Sequence, residues 1–118
     1  MDYRLEFSAE AERDFELIFD HLFDSYRSLG EALEDALDHA AARVMGMRAG
    51  ANRILTAPHR GESHDDILPG LRHLTIDRAI YWFDVDEARR TVRVLAVFFG
   101  GQDHFRRMLR RLLADESP

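Results

Sequence analysis

Residues 71 to 101, LRHLTIDRAIYWFDVDEARRTVRVLAVFFGG, hold three runs dense in β-branched and aromatic side chains. LRHLTI is parted from RAIYWFDV by the turn-forming Asp77, and the charged stretch Asp86 to Arg90 precedes TVRVLAVFF. Runs of this composition between turn residues predict strands, and their close succession predicts a three-stranded antiparallel meander. The second and third runs are apolar at consecutive positions, so alternation places apolar side chains on both faces. Ile80 and Trp82 oppose Ala79, Tyr81 and Phe83, while Val92, Val94, Ala96 and Phe98 oppose Leu95, Val97 and Phe99. Such a sheet needs cover on both sides. The rest of the chain, or a partner, has to supply two layers.

Upstream, YRLEF at residues 3 to 7 alternates apolar and polar and predicts a short strand. Ser8 is a favourable N-cap, and Glu10 and Glu12 follow where a helix dipole favours anions. The helix it opens, to about Tyr26, carries Ala11, Phe15, Ile18, Phe19, Leu22 and Tyr26 at helical spacing, and Leu17 and Phe23 widen the apolar arc. Ser28 to Glu31 fits a capping box, so a second helix restarts at once. It is expected to turn Leu33, Leu37, Ala40, Val44 and Met47 inward and to end near Leu55, before Pro58 and Gly61. Two long helices on so short a link predict an antiparallel hairpin. HRGESHDDILPG, residues 59 to 70, is polar and turn-rich and is expected to be a mobile loop. After Gly100 and Gly101, Asp103 is placed to cap a last helix with Phe105, Met108, Leu109 and Leu112 on one face and Arg106, Arg107, Arg110 and Arg111 on the other. The expected class is α+β in one domain, residues 1 to 118: N-terminal strand, antiparallel helical hairpin, three-stranded antiparallel meander, short C-terminal helix.

A chain of 118 residues buries about 65% of its unfolded surface without a staple, and this one has no cysteine. No apolar run approaches the ~20 residues of a membrane helix, and Met1 is followed by Asp2 and Arg4 rather than an apolar leader. A cytoplasmic protein with no membrane contact is expected. The formal charge of −6 is unevenly placed: residues 1 to 41 carry 12 acids and 3 arginines, residues 42 to 118 carry 10 acids and 13 arginines, and there is no lysine. An acidic total argues against strong nonspecific affinity for nucleic acid, which comes from neutralising phosphates. Direct sequence-specific nucleic-acid binding is not expected.

Six histidines raise the question of a metal. His59 and His64 lie near Asp65 and Asp66, but no HExxH or HxxxH spacing is present, so they read as surface residues and neither metal nor cofactor is expected. No serine stands in a nucleophile elbow, and neither LPG nor FFGGQD matches a phosphate or dinucleotide loop. Metal-free RNA cleavage needs a base, an acid and cations around the phosphorane. Arg72, His73, Arg78 and His104 are the candidates, against a plainer role for the arginines as partners of acids or the sheet edge. The basic face of the last helix reads either as a solvated face or as a site for an acidic partner. The surplus apolar positions of the first helix read as core or as a partner-binding patch.

YRLEFSAEAERDFELIFDHL at the start, TAPHRG after the second helix, then LPGLRHLTIDRAIYWFDVD and VRVLAVFFGGQDH, in this order, resemble the ParE/RelE superfamily over nearly the whole chain. These are the toxins of bacterial type II toxin–antitoxin modules, and the chain is more similar to the ParE branch. The resemblance implies a protein that poisons DNA gyrase by binding and is neutralised by a ParD-like antitoxin. In that family the antitoxin's C-terminal segment wraps over the helical hairpin and sheet, giving a hetero-oligomer. The RelE branch implies instead an endoribonuclease that cleaves mRNA on the ribosome using arginines on the sheet. By position, Arg78 before AIYW and Arg72 in the strand before it match those arginines. Phe99 stands where many relatives carry a histidine ahead of GGQD, and the terminal catalytic tyrosine of ribosome-dependent members has no counterpart, with only His104 nearby. A non-toxic binding module of the same fold is the third reading. The residues singled out for toxicity and target binding are Arg72, Arg78, His104, Arg106, Arg107, Arg110 and Arg111. Those singled out for antitoxin contact are Phe15, Phe19, Leu22, Phe23 and Tyr26, and no residue is assigned a catalytic role.

Overall fold

A computed structural model describes residues 2–100 and 103–116, with side chains to Ala114; Gly101 and Gln102 of the GGQD motif lie outside the described residues. Along the chain come β1 (Arg4–Phe7), α1 (Ala9–Ser28), α2 (Leu33–Gly50), β2 (Glu62–Ser63), β3 (Leu71–Ile76), β4 (Ala79–Asp86), β5 (Thr91–Phe99) and α3 (His104–Glu116), with 3₁₀ turns at Ala51–Thr56 and Pro58–Arg60. The strands form one sheet in the order β1-β5-β4-β3-β2, with β1 parallel to β5 and the other pairs antiparallel. The α+β class, the hairpin of helices and the β3-β4-β5 meander follow the sequence expectation.

Ser8 turns strand into helix within one residue: it is extended, and its Oγ accepts the Ala11 N–H at 3.0 Å. The Ser28–Glu31 capping box does not form. Ser28 is the last residue of α1, and Gly30, at φ 100°, ends the helix as a Schellman motif. Its N–H bonds the Arg27 carbonyl and the Glu31 N–H bonds that of Tyr26, while α2 opens at Ala32 with no side-chain cap. The α2 face is also displaced from expectation. Ala36, Ala40 and Met47 are buried and Leu33 and Leu37 are exposed, because small alanine side chains let α2 approach α1 closely. The helix gives way to the 3₁₀ turn after Gly50, short of Leu55.

The polar stretch 59 to 70 is not a plain loop. Glu62 and Ser63 pair with His73 and Arg72 as an edge strand, and the Asp65 carboxylate accepts the Gly70 N–H at 2.8 Å and the Ser63 hydroxyl at 3.1 Å, closing the turn that follows.

Strict alternation fails in β5 at one point. The register passes from Phe83↔Val94 to Trp82↔Ala96, which makes Leu95 an extra residue, a β-bulge. Val92, Val94 and Val97 therefore pack with Tyr81 and Phe83 on the helical-hairpin side, with Phe99 against them, while Ala96 and Phe98 join Ile80 and Trp82 on the other. The backbone groups freed by the bulge find side-chain partners. The Leu95 carbonyl accepts from Ser8 Oγ at 3.2 Å and from Arg111 Nη1 at 3.3 Å, and the Val97 N–H donates to Asp14 Oδ2 at 2.9 Å. Asp14 is 4% exposed. Its two oxygens are gripped by the Arg111 fork at 2.8 and 2.9 Å, and Arg111 Nε reaches Glu10 at 3.2 Å. Arg111, expected on the free basic face of the last helix, thus points inward and joins α1, β5 and α3.

The second sheet face is closed by the chain itself, so of the two sources of cover that the sequence leaves open, the rest of the chain and a partner, the first supplies it. Met108 and Leu112 of α3, with Ile67 and Leu68, cover Trp82, Ile80 and Phe98, and both Trp82 and Met108 are 1% exposed. Phe105 falls outside this core and is exposed. A helix of 13 residues is marginal alone, so α3 depends on this docking. Replacing Asp14 by alanine strands the Val97 N–H and takes from Arg111 its bidentate partner, and should lower the unfolding free energy by roughly 2–4 kcal/mol. Urea denaturation checks this as a shift of midpoint at constant slope, and Asp14→Asn, which keeps one acceptor, should lose less.

Candidate functional site

Direct cross-strand partners share a sheet face, and so do residues two apart on one strand. Glu62 stands opposite His73 and His73 opposite Trp82, so β2, β3 and β4 deliver all three side chains to the α3 side. His64 joins them, its N–H continuing the ladder to the Leu71 carbonyl at 2.8 Å. His104 and Phe105, the first residues of α3, lie over the group. The Trp82 indole is 4.8 Å by centroid from both the His64 and His73 rings, and Phe105 stands edge-on to His64 at 5.3 Å. His64 Nε2 and His73 Nδ1 are 2.7 Å apart, so a single proton lies between them. Trp82 Nε1 can only donate, and it donates to His104 Nδ1 at 3.1 Å, which leaves the His104 proton on Nε2. Burial first, then the neighbouring imidazoles, hold His73 and His104 below the usual histidine range, with Glu62 opposing. The group is a set of three close imidazoles with the Glu62 carboxylate at its mouth. His64, expected at the surface, is 6% exposed.

Of the residues singled out for RNA cleavage, only His73 and His104 come together, with ring centroids 4.9 Å apart. Arg72 pairs across from Phe83 on the opposite face, and its Nη1 donates to the carbonyls of His59 at 3.0 Å and Gly61 at 2.8 Å. It secures the approach to β2. Gly61 permits this, since a Cβ there would lie 2.8 Å from the His73 carbonyl oxygen. Arg78 sits in the β3–β4 turn. Asp77 and Arg78 both have positive φ, 49° and 73°, as a two-residue hairpin turn requires, although glycine or asparagine meets that requirement at less cost.

From that turn the Arg78 guanidinium reaches 5.7 Å from the Phe99 ring centroid, and Arg43 of α2 reaches 5.5 Å from the same ring. The two cations border a cleft that Asp77, Met47, Gly46 and Tyr81 also line. The Tyr81 hydroxyl donates to the Met47 carbonyl at 2.7 Å, and burial, helped by Asp77, pushes its pKa up to about 12. Arg43 carried no sequence signal, because one arginine on a helix does not show which strand turn it will face.

The basic face of α3 divides. Arg106 and Arg110 are exposed, Arg107 lies 4.4 Å over the Phe98 ring, and Arg111 is committed to Asp14. The residues singled out for antitoxin contact divide too. Phe15, Leu22 and Tyr26 are core, whereas Phe19 and Phe23 are half-buried and pack against it. The large apolar side chains open to solvent are others, notably Leu17 at 58% exposure, and Leu29, Leu33, Leu37 and Met45. Three of these, Leu29, Leu33 and Leu37, gather around the hairpin link.

No family model matches the sequence, and no curated protein does. Among solved structures the chain is similar to one from a chromosomal ParDE TA system of P. aeruginosa, at 19% identity over 84% of this chain and 97% of that one, with a TM-score of 0.61. It is also similar to one from the toxin–antitoxin complex RelBE2 of Mycobacterium tuberculosis, at 17% identity over 84% of this chain and 99% of that one, with a TM-score of 0.50. The chain has the ParE/RelE-type toxin fold. No described helix is long and apolar enough to cross a membrane.

The Tyr81 environment gives a test at alkaline pH. Its folded pKa, about 12, exceeds the ordinary tyrosine value of 10.0, so its contribution to stability is complete below 10 and is lost as pH climbs toward 12. Tyrosinate absorbance should show one group of the native protein titrating only near 12, and Tyr81→Phe should remove it and cost roughly 1 kcal/mol at neutral pH.

Proposed function

We propose that the chain is the toxin of a type II toxin–antitoxin module, that it acts as a ParE-type inhibitor binding DNA gyrase, and that a ParD-like antitoxin neutralises it. The observation that carries this reading is the fold, which superposes better on the ParDE chain than on the RelBE2 chain. The placement of cations supports a binding inhibitor over a ribonuclease. An RNA-cleaving site requires acid, base and cation around one phosphate. Here Arg72 is tied to two carbonyls on one face of the sheet, and His73 and His104 lie on the other. Where many relatives carry a histidine, Phe99 offers an aromatic face to Arg43 and Arg78, an arrangement for holding an anionic surface rather than moving a proton.

Arg78 is the residue of greatest interest within this reading. A non-glycine residue in the left-handed region is strained, and strain kept at an exposed turn supports a role in binding. Arg106, Arg107 and Arg110 extend the target surface. The antitoxin segment would lie on the helical hairpin, on Phe19, Phe23 and Leu17. A RelE-type ribonuclease is the second reading, favoured by the neutral His73–His104 pair.

Expression without the antitoxin tests the reading. Growth arrest with a DNA-damage response, relieved by the adjacent antitoxin gene, together with gyrase cleavage complexes formed by the purified protein, is expected. Transcript cleavage within minutes and no damage response supports the ribonuclease, and unimpaired growth supports a non-toxic module. Arg78→Gly should weaken gyrase inhibition roughly tenfold, the loss of about 1.4 kcal/mol of binding, while stability is unchanged or rises by up to ~1 kcal/mol. A parallel fall in stability and inhibition assigns Arg78 a structural role instead.

A further inference from the structure

Glu62, His64 and His73 each offer a metal-ligating atom, and these atoms lie within 4.8 Å of one another. The His64 Nε2 to His73 Nδ1 edge is 2.7 Å, His64 Nε2 to Glu62 Oε2 is 3.4 Å, and His73 Nδ1 to Glu62 Oε2 is 3.9 Å. Ligand atoms about 2.1 Å from a tetrahedral zinc ion stand about 3.4 Å apart, and the three edges, 2.7, 3.4 and 3.9 Å, centre on that value. The sheet register fixes this triangle, since Glu62 faces His73 across β2 and β3 and His64 lies two residues beyond Glu62.

The surroundings match the donors. The His64 and His73 side chains are 8% and 16% exposed while Glu62 is 68% exposed, which gives buried imidazoles behind a carboxylate open to solvent. Trp82 backs both rings and Phe105 borders His64. The indole N–H is taken by His104, so Trp82 makes no claim on the ligating nitrogens. An apolar shell around two imidazoles and a carboxylate limits solvent access and lowers the local dielectric, which suits a metal site.

We infer that Glu62, His64 and His73 form a binding site for a divalent transition-metal ion of the zinc class, with one coordination position left to solvent. On binding, the proton held between the two imidazoles moves by tautomer exchange to the other ring nitrogen of the imidazole that carries it. His64 Nε2, His73 Nδ1 and the Glu62 carboxylate then all present lone pairs. Mixed nitrogen and oxygen donors suit zinc and its neighbours, whereas magnesium and calcium take oxygen shells. The ion clamps the two-residue strand β2 to β3 and stabilises the fold by mass action. The site does not depend on the toxin reading.

Tag-free full-length protein, stripped with EDTA, is titrated with zinc chloride, with binding read by competition against a chromophoric chelator and by thermal melting, and with cobalt(II) absorption for geometry. One equivalent of zinc, tetrahedral cobalt bands and a raised melting temperature are expected, and magnesium chloride gives no shift. Glu62→Gln changes an exposed residue, leaves the fold intact, and should weaken zinc binding by more than the roughly 10–100-fold that loss of a supporting outer residue causes. His73→Gln should abolish it, while His21→Gln and His59→Gln, at exposed histidines, leave it unchanged. Failure to take up one equivalent overturns the assignment. So does affinity that survives Glu62→Gln, or falls with His59→Gln.

Discussion

The carboxylate of Asp14 is the point on which the two cores of this protein depend. It is buried and charged, a combination that costs several kcal/mol unless every lone pair is engaged. The Arg111 fork and the Val97 N–H engage it. Those bonds hold β5 in its bulged form, and the bulge decides which side chains belong to which core. With uninterrupted alternation Phe98 and Ala96 would lie with Val92 and Val94 under the helices, and Leu95, Val97 and Phe99 would face α3 in their place. With the bulge, Val97 completes the hairpin side and Phe98 meets Met108. One ion pair between the first and last helices therefore sets the division of residues in a strand between them.

Much of this architecture can be read from the chain, and the failures have physical causes. Ser8 declares its helix, and RAIYWFDV declares a strand apolar on both faces, because each pattern is local. The bulge leaves no local mark: LAVFF is apolar throughout, with no glycine to show the slip, and Asp14 reads as one more acid on a polar helix face. Ser28 to Glu31 misleads because serine, glycine and glutamate serve both a capping box and a glycine stop, and only the left-handed φ of Gly30 separates them. Leu33 and Leu37 are misplaced inward because hydrophobicity favours leucine over alanine, whereas close approach of two helices favours Ala36 and Ala40. Strand β2, two residues long, has no period to detect.

The candidate site was harder to see for the same reason. Glu62, His64 and His73 are gathered by pairing between strands, so no spacing along the chain announces them. Arg43 and Arg78 meet over Phe99 only because an α2 residue happens to face the β3–β4 turn. The two groups occupy opposite faces of the sheet, the arginines on the helical-hairpin side and the histidines on the α3 side. The proposed anion-binding surface and the proposed cation site are thus spatially separate, and changes at one should leave the other intact. Closure of both faces leaves Leu17, Leu29, Leu33, Leu37 and Met45 of the hairpin among the exposed apolar side chains.

Trp82, the sole tryptophan, lies between the sheet and α3 and reports that closure. Its fluorescence in the isolated protein, measured as emission wavelength and acrylamide quenching, tests the account most directly. Self-closure predicts blue-shifted emission, poor quenching, and no change when a partner is added. Emission at the wavelength of a solvated indole, freely quenched and shifting only on partner binding, would show that the second face stands open and that another chain completes the fold.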